Sequence, residues 1–135
     1  MFHFVVKHLH WLTRVPGLPQ FFDAMLLAWT TFLHRPRLAA MEAVEDAGSK
    51  LPGVHLAVHR MGGIEFRLDN RELGHLHGNG LLDVRVGLEQ ARRLVRERIV
   101  EPHHVFGDSA WVSFWMRTTE DVPHAIDLLK LAAGR

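Results

Sequence analysis

Cysteine and tyrosine are both absent from the 135-residue chain. Without a thiol there can be no disulfide framework, no thiolate metal site and no cysteine nucleophile, and nothing argues for an oxidising compartment. Charge of one sign is also lacking: sixteen Lys and Arg face fifteen Asp and Glu, a formal net charge of +1. That balance leaves no electrostatic footprint for nucleic acid, and no nucleic-acid partner is expected. Long hydrophobic runs are missing too. The strongest, FFDAMLLAWTTFL at residues 21–33, contains Asp23 and falls short of the roughly 20 residues that span a bilayer. It reads as a helix that packs on the domain, on a second copy of the chain or, as the least favoured choice, on a membrane surface. MFHFVVKHLHWL at the start is broken by Lys7 and carries no small-residue cleavage signal, so export is not expected and the reading is cytoplasmic.

Histidine is what the chain has in excess, with eleven, alongside four tryptophans. Histidine titrates near neutral pH and is the commonest metal ligand, so the enrichment draws attention to where these residues fall.

Pro16, Pro19 and the HRPR stretch at residues 34–37 punctuate the N-terminal part. A helical extension over 1–35 and a compact domain over 36–135 follow. Pro36 suits the first turn of a helix over PRLAAMEAVEDAG, and Gly48 suits a left-handed end to it. From residue 54 the period changes to two: HLAVHR, IEFRL, RELGHLH and LLDVRV are four strands separated by Gly62-Gly63, Asp69-Asn70 and Gly78-Asn79-Gly80. GLEQARRLVRER returns to helical spacing. EPHHVF and AWVSFWMR read as two further strands around a Gly107-Asp108-Ser109 turn, and Thr118-Thr119-Glu120-Asp121 starts a last helix. The expected fold class is α+β, an antiparallel sheet of about six strands with helices on one face.

Strand alternation then sorts side chains by face. Leu56, Val58, Ile64, Phe66, Leu68, Leu82, Val84, Val86, Val112, Phe114 and Met116 should lie under the helices. The opposite parity holds His55, His59, Glu65, Arg67, His75, His77, Asp83, Arg85, Trp111, Ser113 and Trp115. A solvated face would carry Lys, Thr and Gln; this one mixes ionisable groups with tryptophan, as a ligand site does.

His75 and His77 project the same way from one strand, so two imidazoles can grip one ion or one substrate oxygen. With His103 or His104 from a later strand, and Glu72, Glu65 or Asp83 as carboxylate, the set fits a three-histidine or two-histidine-one-carboxylate site for zinc or iron. The metal-free alternative uses a histidine as general base, a carboxylate to fix its tautomer, and Arg67 or Arg117 to hold an anionic oxygen. Regular alternation sets Glu72 on the wrong face, so it joins the site only from a turn or through a bulge near Gly74. For several residues a purely structural role is the simpler expectation. His55, His59 and His124 read as surface or core-edge residues, Gly78 and Gly80 as turn glycines with positive φ, and the arginine pairs between 92 and 98 as a solvated helix face. Trp111 and Trp115 face either a ligand or the N-terminal helix.

Two stretches, MGGIEFRLDNRELGHLHGNGLLD and EPHHVFGDSAWVSFWMRTTEDVPHAIDLL, together resemble the luciferase-domain family, short bacterial and fungal proteins remotely similar to the fungal luciferases. The resemblance covers roughly residues 50–132. Arg71, Glu72, His75, His77, His103 and Trp111 match best, and Gly62, Gly63, Glu65, Phe66, Gly74, Leu82, Asp83, Pro102 and His104 match the bacterial members. What it implies is an oxygen-dependent oxidation of a 3-hydroxy-2-pyrone through a peroxide, with loss of carbon dioxide and emission of light, His75 or His77 being the base and molecular oxygen the co-substrate. The expectation carried forward is a small-molecule site and not the light. Glu72, His75, His77 and His103 are the catalytic candidates, with His75, His77 and His103 as metal ligands, and Glu65, Arg67, Arg71, Asp83, His104, Trp111, Trp115 and Arg117 bind substrate. The order of elements also resembles the MmcQ/YjbR type of α+β domain, which gives a rival reading as a non-catalytic, DNA-binding module. A dimerising scaffold joined through the N-terminal helix is the third.

Overall fold

The structure, a computed structural model, describes residues 17–134. The MFHFVVKHLHWL stretch and Pro16 lie outside them. Helix α1 (Leu18–Leu33) runs directly into α2 (Arg35–Ser49), followed by β1 (Val54–Val58), β2 (Ile64–Leu68), β3 (Arg71–Leu76) and β4 (Leu81–Arg85). Then come α3 (Leu88–Arg96), β5 (Glu101–His103), β6 (Gly107–Trp115), a short 3-10 turn over Thr119–Asp121 and α4 (Val122–Ala132). The six strands form one antiparallel sheet in the order β1-β2-β3-β4-β6-β5, so the α+β expectation holds. No helix among the described residues is long and apolar enough to cross a membrane.

The core lies between one face of this sheet and three helices. Phe66, Leu82, Val84, Val112 and Met116 meet Ala40, Met41 and Val44 of α2, Leu94 of α3, and Ala125 and Leu129 of α4. The parity assignment fails at the edge. Leu56 and Val58 were expected under the helices, but β1 is the outer strand and the helical cover ends near Val54, leaving Val58 77% exposed. Central β4 differs: Leu81, Leu82, Asp83 and Val84 are all buried, so side chains on both of its faces are covered.

Two glycines do other work than expected. Gly48 does not end its helix, which continues to Ser49 and exits through an ordinary right-handed residue. A Cβ there would lie 2.5 Å from the Phe66 ring, so glycine lets α2 sit close on β2. Gly80 has positive φ, as its turn requires, whereas Gly78 is not among the positive-φ residues. A Cβ on Gly78 would lie 2.5 Å from the Asp23 carbonyl oxygen of α1. The last turn also moves: β6 begins at Gly107, and the reversal falls on residues 104–106. Its cause is local, since the His103 ring captures the amides of Val105 and Phe106 at 3.1 and 3.2 Å and ends the strand there. At the start of α4 the expected cap is present, a reciprocal box between Thr118 and Asp121.

Helix α1 packs on the domain, lying against the turns that follow β1 and β3. Gln20 donates to the Arg60 carbonyl, Gly62 packs on Asp23, and Gly78 packs on Asp23 and Leu27. What it buries is polar, Asp23 and Thr30, while Phe21, Met25, Trp29 and Phe32 are exposed.

Gly74 is the tightest point of the β3–β4 pair, where a Cβ would collide with the Asp83 carbonyl oxygen. Backbone cannot swing aside as a flexible side chain can. Gly74→Ala should therefore lower stability by about 1–3 kcal/mol, the usual range for overpacking; an unchanged denaturant midpoint in urea unfolding would contradict this.

Candidate functional site

One row of paired residues crosses the sheet: Ala57, Glu65, His75, Asp83, Ser113 and Glu101, in strand order. At its centre the Asp83 side chain is fully buried on the face away from the helical core. An ionised carboxylate can be buried only if its lone pairs are met by donors or cations. Ser113 Oγ donates to Oδ1. Around Oδ2 stand four imidazole nitrogens: His77 Nε2 at 3.0 Å, His104 Nδ1 at 3.3 Å, and His75 Nε2 and His103 Nε2 at 3.5 Å each. Burial alone would raise the Asp83 pKa, but hydrogen bonds from His104, His75 and His77 outweigh it and hold the carboxyl far below the ordinary range.

Glu72 reaches the same cluster through the irregularity on which its membership depended. The register of β2 and β3 shifts after Phe66: Phe66 pairs with Gly74 and Arg67 with Glu72, leaving Leu73 as an extra residue, fully buried in the core. This bulge turns Glu72 onto the His75 side, where its Oε1 lies 2.6 Å from His75 Nδ1. His75 is thus gripped between two carboxylates. Desolvation would lower its pKa, but the bonds to Asp83 and Glu72 raise it to about 9. Glu72, which burial would raise, is instead lowered by the His75 hydrogen bond and charge.

Two outer histidines complete the group, and their backbone contacts fix their tautomers. His103 Nδ1 accepts the Val105 and Phe106 amides, so its proton sits on Nε2 and faces Asp83. His59 Nδ1 accepts the Met61 amide at 3.3 Å, so its Nε2–H faces Glu72 Oε1, 3.7 Å away. Burial drives the pKa of each down to about 4. His59 also stacks on His75, with ring centres 4.0 Å apart and planes 5° from parallel; a neutral ring lies on a charged one. The surface or core-edge role expected for His59 is therefore corrected. It follows β1 directly, and the close turn between β1 and β2 folds it back over the cluster.

Of the other expected site residues, Trp111 borders the cluster, its ring 5.7 Å from His75 and 5.9 Å from His103. Glu65 is buried across from His75 but is bonded by Arg67, which also donates to the Asn70 carbonyl. Trp115 carries the Arg37 guanidinium of α2 over its ring at 5.9 Å. Arg71 and Arg117 are exposed. Asp23, noted in the sequence only as an interruption of an apolar run, is a member that strand parity could not supply. Its Oδ1 accepts the Gly78 amide at 2.7 Å and lies 3.9 Å from His77 Nδ1.

Among the described residues, three sets could each hold a metal ion, with one ligand atom per residue and all within 4.8 Å of one another: His59, Glu72 and His75; His75, His77 and Asp83; and Asp83, His103 and His104.

The shifts set a stability profile. His59 and His103, with folded values below the ordinary 6.5, lose stability as pH falls from 6.5 towards 4, because the unfolded chain takes up protons first. His75, with a raised value, contributes fully below 6.5 and loses its contribution as pH rises to about 9. The thermal midpoint of the metal-free protein should peak near pH 6.5 and decline on both sides; a midpoint that climbs steadily to pH 9 would contradict this.

No curated protein and no solved structure matches the chain. The family description "Luciferase domain" matches residues 70–132. The span takes in Glu72, His75, His77, Asp83, His103, His104 and Trp111, but neither His59 nor Asp23. Over residues 70–132, then, this chain is similar to the luciferase-domain family.

Proposed function

We propose that the cluster binds a divalent metal ion, zinc or iron, and acts on a small enolic or pyrone-like molecule in an oxygen-dependent oxidation. The observation that carries the reading is the convergence of four imidazoles within 3.5 Å of one carboxylate oxygen. Imidazole with carboxylate is a donor set suited to zinc and non-haem iron. The substrate class follows the resemblance to the fungal luciferases, and Trp111 beside His75 and His103 supplies a plane against which a flat ring can lie.

Within the cluster the tautomers divide the labour. His103 presents a proton to Asp83 and so orients the carboxylate from behind. His75, His77 and Asp83 form the ligand set that the geometry favours, with Glu72 backing the Nδ1 of His75. Held by His75, His77 and Asp83, a metal ion would supply the Lewis-acid chemistry that makes an enol more acidic. A conjugate base made in this way is electron-rich and reacts with oxygen, while burial of the cluster excludes water from the product of that step. Should the enol bind without metal, His75 holds its proton and serves as the donor to the enolate oxygen, leaving His77 as the base.

Metal analysis of the untagged protein and of His77→Ala separates the two. Close to one zinc or iron per chain, lost in the variant, is expected, together with oxygen uptake on hydroxypyrones that needs the metal. Neither metal nor oxygen uptake in the wild-type protein would refute the proposal.

A further inference from the structure

The two inner histidines are built alike except in one respect. Both turn Nε2 towards Asp83, and behind the Nδ1 of His75 stands Glu72, from the same strand. Behind the Nδ1 of His77 stands a carboxylate from another part of the chain, Asp23 of α1, which lies outside the family match. We infer that Asp23 is a positioning residue of this site, the counterpart of Glu72. In this role α1 is a working part of the centre, because it brings the carboxylate that orients His77 for ligation.

The packing is what such a role needs. Asp23 is buried at the point where α1 meets the turns after β1 and β3, and glycines stand at both contacts. Gly62 packs on the Asp23 side chain and Gly78 on its backbone; a side chain at either place would push the helix away. The Gly78 amide ties one carboxylate oxygen at 2.7 Å, which fixes the side chain and leaves the group 3.9 Å from His77 Nδ1. That separation exceeds a hydrogen bond but acts through charge across a site with little water. Burial raises the Asp23 pKa, against the Gly78 amide and the His77 ring, which lower it. A helix whose other contacts are so sparingly apolar gains little from burying an acid here. A carboxylate behind a ligating imidazole, by contrast, favours the tautomer that leaves the Nε2 lone pair free for the ion, and such partners typically alter metal affinity 10–100-fold.

The inference rests on the metal reading above, and the experiment separates the two. Asp23→Asn keeps an oxygen that accepts the Gly78 amide but removes the charge; Asp23→Ser does the same with a smaller group and serves if the first fails to fold. Zinc affinity would be measured by competition with a chelator, alongside the melting temperature of the metal-free proteins and long-range proton–nitrogen NMR spectra of the histidine rings. Expected are a loss of zinc affinity of about 10–100-fold, a metal-free melting temperature close to wild type, and a changed distribution of the proton between the two His77 nitrogens. Unchanged zinc affinity in a folded variant would overturn the inference. If the wild-type protein takes up no zinc, the metal reading falls by itself. The His77 spectra then decide for Asp23: a change on substitution sustains its positioning role, and identical signals end it.

Discussion

A carboxylate with no exposed surface is the constraint around which this molecule is arranged. Asp83 sits on β4, the strand covered on both faces, and its burial is tolerable only because Ser113 and four histidines surround it. Three of those histidines are in turn held by other groups. Glu72 grips His75, Asp23 stands behind His77, and the turn amides of residues 105 and 106 fix His103. Removing an apolar neighbour from a core leaves a cavity; removing any one of these donors leaves a buried charge short of a partner, which costs more and propagates further.

The arrangement also divides three chemically identical side chains into different states. His75 is held protonated near neutral pH, while His59 and His103 are held neutral. Environment alone makes this distinction, through the number of carboxylates within reach and the depth of burial. The stacked pair of His59 and His75 shows how close the two states come, 4.0 Å between ring centres. Such separation of roles within one residue type is what a site for proton or metal chemistry needs.

Much of this was legible in the sequence, and the failures have definite causes. Period-two alternation separated Phe66, Leu82 and Val112 from His75, Asp83 and Ser113, because β2, β3, β4 and β6 are regular where they pair at the centre. Alternation cannot register an inserted residue, so Glu72 stood on the wrong face until Leu73 was seen to be the extra one in a bulge. It cannot see beyond the sheet either, and Asp23 comes from a helix 55 residues before the glycine that binds it. The one hint was a charge within an apolar run. Nor does it tell an edge from a centre, which is why Val58 was expected in the core. His59 was weighed as a surface residue because its position just past a strand end gives no direction until the turn is known. The Gly107 turn moved for a similar reason: a side chain that captures amides two and three residues on starts a reversal that composition alone does not mark.

If Asp83 is the hub, its charge should set the state of the histidine that depends on it most. Asp83→Asn preserves the shape of the side chain and removes the charge. Nitrogen-15 NMR titration of the metal-free variant follows His75 directly. The account predicts that the His75 pKa falls well below its wild-type value of about 9, with Glu72 left as the carboxylate bonded to its ring. An unchanged His75 titration in a folded Asp83→Asn protein would contradict the central claim.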